Sequence, residues 1–251
     1  MQDTPAYFRA ITVSVVSHGQ LALIVPLLKK LEQYGLDVID KVLVTFNIPE
    51  PDILGETIWK IPVVKISNPR PRGFGANHNQ AFRQYCHSSW FLVINPDVDL
   101  TRDVLSALLA RALPDHGLLA PQVIEPGQTR PVPERGLLSP WEIIARRGPA
   151  HRPPARTAWV AGMFMLVRHE AYAAINGFDE KYFMYCEDFD FCARLQLAGW
   201  QIYRAPDIEI FHIAQRASHV RLQHLRWHVA SLLKLWTSAV WWRFRRLLKA
   251  R

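Results

Sequence analysis

Three carboxylates lie within four residues of one another in the stretch MYCEDFDFCARL (184–195). Glu187, Asp188 and Asp190 stand there among aromatic and apolar residues, a setting in which clustered charge is costly because water is partly excluded. A carboxylate in such a place can serve as a general base. The alternative is structural, since acids in the first turn of a helix are stabilised by the helix dipole. These residues alone leave both interpretations open.

A second acidic group follows an apolar stretch in WFLVINPDVDL (90–100). Alternate residues of a strand face the same side, so Asn95, Asp97 and Asp99 are expected to project together. Two or three oxygen ligands at a strand end suit Mg²⁺ or Mn²⁺, hard ions that share their coordination shell with a diphosphate. The alternative is that Asp99 caps the following helix, with Thr101 nearby.

The glycine-bearing stretch GFGANHN (73–79) is a third candidate site. Gly73 and Gly75 predict flexible backbone between a strand and a helix, where amide groups can approach a phosphate or a sugar. The spacing differs from the G-x-G-x-x-G dinucleotide pattern, and no Walker lysine follows it. An ordinary loop is therefore the alternative.

The elements that must position these residues alternate in type through the first half of the chain. Apolar, β-branched stretches predict strands at 11–19, 38–47, 61–67 and 90–100, and helices are predicted at 21–35, up to about Cys86, and at 101–113. This alternation indicates an α/β fold with a doubly wound, mostly parallel sheet. Ligands of such sheets bind beyond the carboxyl ends of the strands, here Ser17–Gly19, Phe46–Asn47, Asn68 and Asn95–Asp99.

The stretch 126–156 differs in composition, since it holds seven of the 18 prolines and six arginines. It predicts a mobile excursion, a possible lid, that contains one short helix at SPWEIIARRG (139–148). A strand and a helix closed by Gly177 follow within 159–177. The helix that begins at the acidic cluster and a short strand near WQIYRAP (200–206) complete this part of the chain.

Charge is distributed unevenly along the 251 residues. The whole chain has a net charge of +8, but residues 211–251 contain nine Lys and Arg and no acid, so the body has 30 − 9 = 21 basic against 22 acidic residues. The N-terminal sequence does not resemble a signal peptide. Cys86, Cys186 and Cys192 form no CxxC pair, which predicts free thiols in a reducing cytoplasm.

Three blocks together resemble the inverting glycosyltransferases of family 2, of the GT-A type. These are GFGANHN, INPD (94–97) and GFDEKYFMYCEDFDFCARLQLAGW (177–200), in the order and at the distances usual for the family. The resemblance spans about residues 11–218 and is greatest to the rhamnosyltransferase-like subgroup that acts on lipopolysaccharide and other surface glycans. It implies the GT-A fold, a Rossmann-like doubly wound sheet.

The resemblance also implies roles for individual residues. Asp188 matches the general base, and Asp97 matches the metal-binding acid of the family's D-x-D motif, in which Asn95 replaces the first acid. Gly162 falls in the segment that lines the junction of donor sugar and acceptor. His212, followed by Ser218, resembles a terminal H-x5-S element near the diphosphate or metal.

The remaining predicted site residues take supporting parts. The metal set is Asp97, Asp99 and His212, and donor contacts are expected from Ser17, Asn47, Gly73, Gly75, Asn79, Asn95, Asp97 and Gly162. Acceptor contacts or support of the helix are expected from Glu187, Asp190, Arg194 and Trp200. One departure concerns the second strand, where Phe46-Asn47 stands in place of the family's usual Asp-Asn. Recognition of the nucleobase by that acid is thus not expected, and Phe46 is predicted to stack or to pack.

The C-terminal stretch LQHLRWHVASLLKLWTSAVWWRFRRLLKAR (222–251) predicts one basic amphipathic helix with four of the nine tryptophans. Its apolar runs are too short to span a bilayer. Trp and Leu interleaved with Arg suit a helix lying on an anionic membrane surface. The alternative is a helix packed on the protein body or at a homodimer contact. Binding of nucleic acid is disfavoured, because the positive charge is confined to this end and no nucleic-acid motif is present.

These features together predict a peripheral, cytoplasmic transferase. Residues 1–218 are expected to form the transferase domain, with a nucleotide-sugar part at about 1–120 and an acceptor part at about 121–218, and residues 219–251 the basic helix. The expected reaction moves a sugar, rhamnose from dTDP-rhamnose first, from a nucleoside diphosphate sugar to a saccharide or lipid-linked acceptor. A transferase that uses a UDP-hexose and a non-catalytic nucleotide-sugar-binding protein are the alternatives.

Overall fold

The computed structural model describes residues 9–146, 148, 152–154, 156–213 and 221–250. The strands are β1 Ile11–Ser17, β2 Ile39–Phe46, β3 Val63–Ser67, β4 Trp90–Ile94, β5 Val98–Asp99, β6 His116–Ile124, β7 Phe164–Arg168 and β8 Gln201–His212. The helices are α1 Leu21–Gly35, α2 Phe74–Tyr85, α3 Val104–Leu109, α4 Pro140–Ala145, α5 His169–Ala174, α6 Glu187–Leu197, α7 Arg221–Thr237 and α8 Ala239–Ala250.

All eight strands form one sheet in the order β3-β2-β1-β4-β7-β6-β8-β5. The four strands from β3 to β4 run parallel, which confirms the predicted doubly wound α/β arrangement. β7 is antiparallel to both β4 and β6, and β8 is parallel to β6. Because β7 is antiparallel to β4, its first residue, Phe164, lies opposite Ile94, and the residues just before β7 therefore lie at the carboxyl end of β4, where the predicted site is.

Both faces of the sheet are covered by helices, which explains the continuous apolar strands. Val42 and Val44 of β2 face a core shared with α1 and α3, and Leu43 faces a second core shared with α2, α6 and α8. Because successive strand residues alternate between the faces, each strand needs apolar side chains at nearly every position.

The predicted elements differ from the observed ones in three places. The strand expected over 90–100 ends at Ile94, and the short β5 follows after a turn. The helix expected at 101–113 is confined to Val104–Leu109 and is capped by Asp103, whose Oδ1 accepts a hydrogen bond from Ser106 N at 2.9 Å. β6 has no counterpart among the predicted elements. It contains Pro121, which disfavours a strand locally, and its pairing with β8 shifts register at that point.

The C-terminal stretch forms two helices, not the single helix predicted for 222–251. The chain breaks at Ser238, whose Oγ accepts a hydrogen bond from Trp241 N at 3.2 Å and so caps α8. Trp236 and Trp241 both donate their indole N–H to the carbonyl of Leu138, at 3.1 and 2.9 Å. The two helices therefore pack on the protein body. No helix within the described residues has the length and apolarity that crossing a membrane requires.

Candidate active site

Asp188 lies in the first turn of α6, and its carboxylate is held by backbone amides. Oδ1 accepts a hydrogen bond from Phe189 N at 2.8 Å, and Oδ2 accepts one from Gly162 N at 3.4 Å. Burial raises the pKa of Asp188, while the nearby Arg135 guanidinium and the two amides oppose that rise. The result is an oriented, partly desolvated carboxylate of the kind that can accept a proton.

Residues 162 and 163 connect Asp188 to the end of β4. The amide of Gly162 faces Asp188, and the carbonyl of the next residue, Met163, accepts a hydrogen bond from Asn95 N at 2.9 Å. The pairing of β4 with β7 enforces this arrangement, since Ile94 lies opposite Phe164. Two adjacent residues thus join the loop of the predicted D-x-D motif to the predicted base.

Asp97 and His212 form a pair at this edge of the sheet. His212 Nε2 lies 3.2 Å from Asp97 Oδ2, because β5 pairs with the end of β8 and places Val98 opposite His212. Asp97 Oδ1 and His212 Nδ1 are buried and have no hydrogen-bond partner within the described part of the chain. The unpartnered Asp97 Oδ1, with Oδ2 and His212 Nε2 facing each other beside it, is a donor set that fits a divalent cation. Ser218, expected beside His212, lies outside the described residues.

Asp99 does not join this pair, so the expectation that Asn95, Asp97 and Asp99 project together is wrong. The strand ends at Ile94, and the turn that follows breaks the two-residue alternation. Asp99 lies instead 3.9 Å from Lys30 Nζ of α1. The described residues contain no group of three or more His, Cys, Asp or Glu side chains that could bind a metal. A cation would depend on Asp97 and His212, with other oxygens completing its shell.

An asparagine network closes the strand ends around the predicted donor site. Asn47 Nδ2 donates to Arg72 O at 2.9 Å, and Asn47 Oδ1 accepts from Asn68 Nδ2 at 3.0 Å. Asn68 Nδ2 also donates to Asn77 Oδ1 at 2.6 Å. Sequence reasoning placed Asn68 at a strand end but did not identify Asn77. The network fixes the loop that leads into α2.

The two other strand-end residues in this region are structural. Ser17 is fully buried, and its Oγ accepts a hydrogen bond from Gln20 N at 3.0 Å, at the start of α1. Its side chain is therefore used within the fold, and a donor contact from the backbone near Ser17 stays a prediction. Phe46 is 8% exposed and belongs to the core beside α1, so it packs and does not stack on a ligand.

Gly73 and Gly75 allow one segment of the chain to approach another closely. A Cβ at Gly73 would lie 2.7 Å from the carbonyl oxygen of Phe183, and a Cβ at Gly75 would lie 2.4 Å from Cβ of Phe178. These glycines seat α2 against the residues that precede α6. The approach of their backbone amides to a donor stays a prediction.

Asn79 is the clearest correction to the predicted donor contacts. Its Oδ1 accepts hydrogen bonds from Tyr172 Oη at 2.7 Å and Phe178 N at 2.9 Å. Its Nδ2 donates to Phe178 O at 2.9 Å and to Glu180 Oε1 at 3.0 Å. The side chain is 2% exposed and its hydrogen bonds are used internally, so it joins α2 to the turn at Phe178 and does not contact a donor.

The remaining acids of the cluster divide by role. Asp190 forms an ion pair with Arg194 at 2.6 Å, and Arg194 Nη1 donates to Ile175 O and Gly177 O at 2.8 and 2.7 Å. The pair of Asp190 and Arg194 therefore supports α6, which is one of the two roles predicted for these residues. Glu187 is 7% exposed, and its Oε2 has no hydrogen-bond partner within the described residues. Burial and the adjacent Asp188 raise the pKa of Glu187 to about 8.

Trp200 lies beyond the opposite end of α6 from Asp188. Its Cβ would be 2.6 Å from a Cβ at Gly117, so it packs against β6. Since α6 spans 11 residues and rises about 1.5 Å per residue, an acceptor at Asp188 is out of reach of Trp200. The supporting role is the one that this position allows.

Three features of the site were not identified from the sequence. Tyr185 and Cys186 have φ values of 71° and 63°, a left-handed backbone that is unfavourable for both side chains and often marks functional sites. His78 donates to or accepts from Ser14 Oγ at 2.8 Å, and burial lowers the pKa of His78 to about 3. Arg135 stacks on Trp159 with its Cζ 4.5 Å from the ring centroid. The arginine-rich composition of 126–156 was the available signal for Arg135.

Curated relatives of the chain are rhamnosyltransferases. It is 43% identical over 77 residues to the rhamnosyltransferase WbbL of Escherichia coli, a match covering 30% of this chain and 29% of that protein. It is 33% identical over 163 residues to the N-acetylglucosaminyl-diphospho-decaprenol L-rhamnosyltransferase of Mycobacterium tuberculosis, covering 54% of this chain and 52% of that protein. The chain thus spans about half or less of the length of the relatives it matches.

Solved structures with the same fold are glycosyltransferases. The mannosyltransferase PcManGT of Pyrobaculum calidifontis, in complex with GDP-Man and Mn²⁺, aligns with a TM-score of 0.64 at 17% identity, over 92% of this chain and 66% of that one. TarS residues 1–349 of S. aureus, in complex with UDP-GlcNAc, aligns with a TM-score of 0.64 at 16% identity, over 83% and 60%. At these identities the likeness shows the GT-A fold alone.

The decisive match is to a family. A sequence profile described as "Glycosyltransferase like family 2" matches residues 52–230, which include both the Asn95–Asp97 loop and the helix of Asp188. The chain belongs to glycosyltransferase-like family 2.

Proposed function

We propose that this glycosyltransferase moves a sugar from a nucleoside diphosphate sugar to a hydroxyl of a saccharide acceptor, with inversion at the anomeric carbon. The observation that carries the proposal is the link through residues 162 and 163. It joins a desolvated carboxylate, Asp188, to the loop that holds the Asp97–His212 pair. A base and a site for the leaving diphosphate therefore lie on either side of one short piece of backbone.

In this mechanism Asp188 removes the proton from the acceptor hydroxyl as that oxygen attacks the anomeric carbon. Burial favours proton uptake because it raises the pKa of Asp188, and the two backbone amides orient its oxygens. A single in-line displacement with one base inverts the configuration. Glu187 and Asp190 do not share the task, since Asp190 is held by Arg194 and the Glu187 carboxyl is protonated at neutral pH.

Asp97 and His212 are the residues that would hold Mg²⁺ or Mn²⁺. Asp97 Oδ1 has no hydrogen-bond partner among the described residues, and Asp97 Oδ2 faces His212 Nε2, so these carboxylate oxygens and Nε2 are the atoms that would bind the cation. When bound, such a cation supplies positive charge against the charge that develops on the leaving diphosphate. Asn95, whose side chain makes no hydrogen bond with the described residues, is placed beside Asp97 to contact the same diphosphate.

For the donor we propose L-rhamnose from dTDP-rhamnose, with a UDP-hexose as the alternative. The names of the two curated relatives support rhamnose, whereas the TarS structure contains UDP-GlcNAc. Phe46 packs in the core, and the side chain of Asn47 is hydrogen-bonded to Arg72 and Asn68, so the base of the nucleotide would be bound by backbone groups near these strand ends. A non-catalytic nucleotide-sugar-binding protein is the weaker alternative, because Asp188 retains the burial and orientation that catalysis requires.

For the acceptor we propose a lipid-linked saccharide, reached by peripheral binding to the cytoplasmic face of a membrane. Leu225, Val229 and Leu233 of α7 are 57%, 47% and 57% exposed at a spacing of four residues, with the exposed Arg226 beside them. An exposed apolar stripe with a basic margin suits an anionic lipid surface. Co-sedimentation with vesicles of anionic lipid, compared with neutral lipid, tests this placement.

The function itself is tested by donor binding and transfer. A thermal-shift panel of dTDP-rhamnose, UDP-hexoses and GDP-mannose, each with and without Mn²⁺ or Mg²⁺, is expected to show stabilisation by dTDP-rhamnose that increases with the cation. Stabilisation by UDP-sugars and not by dTDP-sugars would remove the rhamnosyl assignment. If no acceptor causes release of the nucleotide from the donor, the alternative of a non-catalytic nucleotide-sugar-binding protein is favoured.

A further inference from the structure

Three arginines surround Trp159 on the segment between β6 and β7 and on β8. Arg135 Cζ lies 4.5 Å from the centroid of the Trp159 ring, and Arg146 Cζ lies 5.9 Å from it. Arg204 lines the same cleft, and its side chain is 8% exposed. The indole is itself buried, so the three cations converge on a site inside the protein surface.

The three guanidinium groups differ in their partners. Arg204 is paired with Glu134 at 3.1 Å, and Arg146 is paired with Glu142 at 2.9 Å. Arg135 forms no ion pair, and its guanidinium donates no hydrogen bond, to any described residue. Its aromatic stacking fixes the plane of the group without using the N–H donors. Arg135 is therefore a preoriented cation with free donors.

Arg135 lies at the catalytic end of the cleft. Ala161 and Met163, the neighbours of Gly162, line the same cleft as Arg135 and Trp159. Asp188 and Arg135 are close enough to shift each other's pKa. Burial lowers the pKa of Arg135, and the Asp188 carboxylate opposes that decrease.

We propose that Arg135 binds a phosphate of the acceptor, and thereby places the acceptor hydroxyl at Asp188. This inference rests on the proposed transferase function and specifies its acceptor as a phosphate-linked saccharide. A guanidinium presents two parallel N–H donors that match two oxygens of a phosphate. Because Glu134 and Glu142 pair with Arg204 and Arg146, Arg135 is the one of the three arginines whose charge has no acidic partner among the described residues. The apolar wall formed by Val160 and Met163 accommodates the less polar parts of the same ligand.

The test compares two acceptors that carry the same octyl chain and differ in the diphosphate alone. One is octyl N-acetylglucosaminyl diphosphate, and the other is the neutral octyl N-acetylglucosaminide. Arg135→Met is expected to raise KM for the diphosphate acceptor about tenfold or more, the loss typical of a hydrogen bond to a charged group. KM for the neutral acceptor and for the donor should change less than about twofold. Arg135→Lys should recover part of the loss, and the exposed Arg130→Met is the matched control.

Three outcomes would overturn the proposal. An equal loss with both acceptors would assign Arg135 a structural role or a role through Asp188, which a shift of the pH profile of kcat distinguishes. A raised KM for the donor would place Arg135 on the donor diphosphate. Calorimetric binding of the alkyl diphosphate sugar to wild type and Arg135→Met requires no turnover. Equal affinities there would refute the phosphate contact, even if the proposed transfer reaction were itself wrong.

Discussion

The titration of Glu187 distinguishes this residue from Asp188, the proposed base. Its carboxyl is 7% exposed, has an unpartnered Oε2 within the described residues and lies next to Asp188. Burial, with Asp188 as the second cause, raises the pKa of Glu187 from its ordinary value of 4.5 to about 8. Glu187→Gln replaces this carboxyl by an amide of the same shape that does not ionise.

The magnitude follows from proton linkage. Between pH 4.5 and 8 the unfolded chain has Glu187 ionised while the folded chain keeps it protonated, so folding takes up a proton. The free energy of unfolding contributed by this group therefore falls as pH rises, by about 1.4 kcal/mol per pH unit. From pH 5 to pH 8 the free energy of unfolding of the wild type should therefore fall by about 4 kcal/mol relative to that of Glu187→Gln.

The assay is urea unfolding, followed by tryptophan fluorescence, for both proteins at pH 5, 6, 7 and 8 and constant ionic strength. The difference between the two proteins cancels other titrating groups, including His78, whose pKa of about 3 makes stability rise with pH up to about 6.5. Glu170→Gln, at an exposed helix position, is the control, and its free energy of unfolding should vary with pH as that of the wild type does. Parallel curves for wild type and Glu187→Gln would refute the buried, protonated carboxyl. Because Glu187 is neutral at pH 7, the variant should also retain transfer there.

Three further predictions test the site. Asp188→Asn should lower kcat by about 10²–10⁴-fold while the affinity for the donor, measured by thermal shift, stays within about twofold; substantial turnover would exclude Asp188 as the base. Excess EDTA should stop transfer by the wild type, and Asp97→Asn should abolish the cation-dependent part of donor stabilisation, so unchanged activity in EDTA would remove Asp97 from its role. Asn79→Ala should cost about 2–4 kcal/mol in urea unfolding because it leaves Phe178 N–H and C=O unpaired, yet KM for the donor should not change; a large rise in that KM would restore Asn79 as a donor contact.

Sequence reasoning located the acidic residues well because their chemistry conflicts with their surroundings. Asp188 stands in an aromatic run, and the structure gives it the burial that such a run predicts. The parallel half of the sheet is likewise predictable, since buried parallel strands require continuous apolar residues. The strand expected over 90–100 fails for a local reason, because hydropathy does not register the turn at 95–97 that sends Asp99 toward Lys30.

Asn79 and Gly75 show what the sequence could not supply. A glycine or asparagine beside a predicted strand end has the same local pattern whether it contacts a ligand or another segment of the chain. Here the partners of Asn79 are Tyr172 and Phe178, which lie 93 and 99 residues further along the chain. Only the tertiary arrangement decides between the two roles, and it assigns both residues to holding α2 against the turn before α6.

Contacts between distant residues also join α7 to the backbone that precedes Asp188. The left-handed backbone at Tyr185 and Cys186 costs about 1–2 kcal/mol per residue, and it aims the start of α6 so that Asp188 meets Gly162 N. α7 offsets that cost, since Tyr185 Oη lies 2.7 Å from His224 Nδ1 and Ser231 Oγ donates to Met184 O at 2.9 Å. A helix that the charge pattern sets apart from the body therefore stabilises the strained backbone that precedes Asp188, the proposed base.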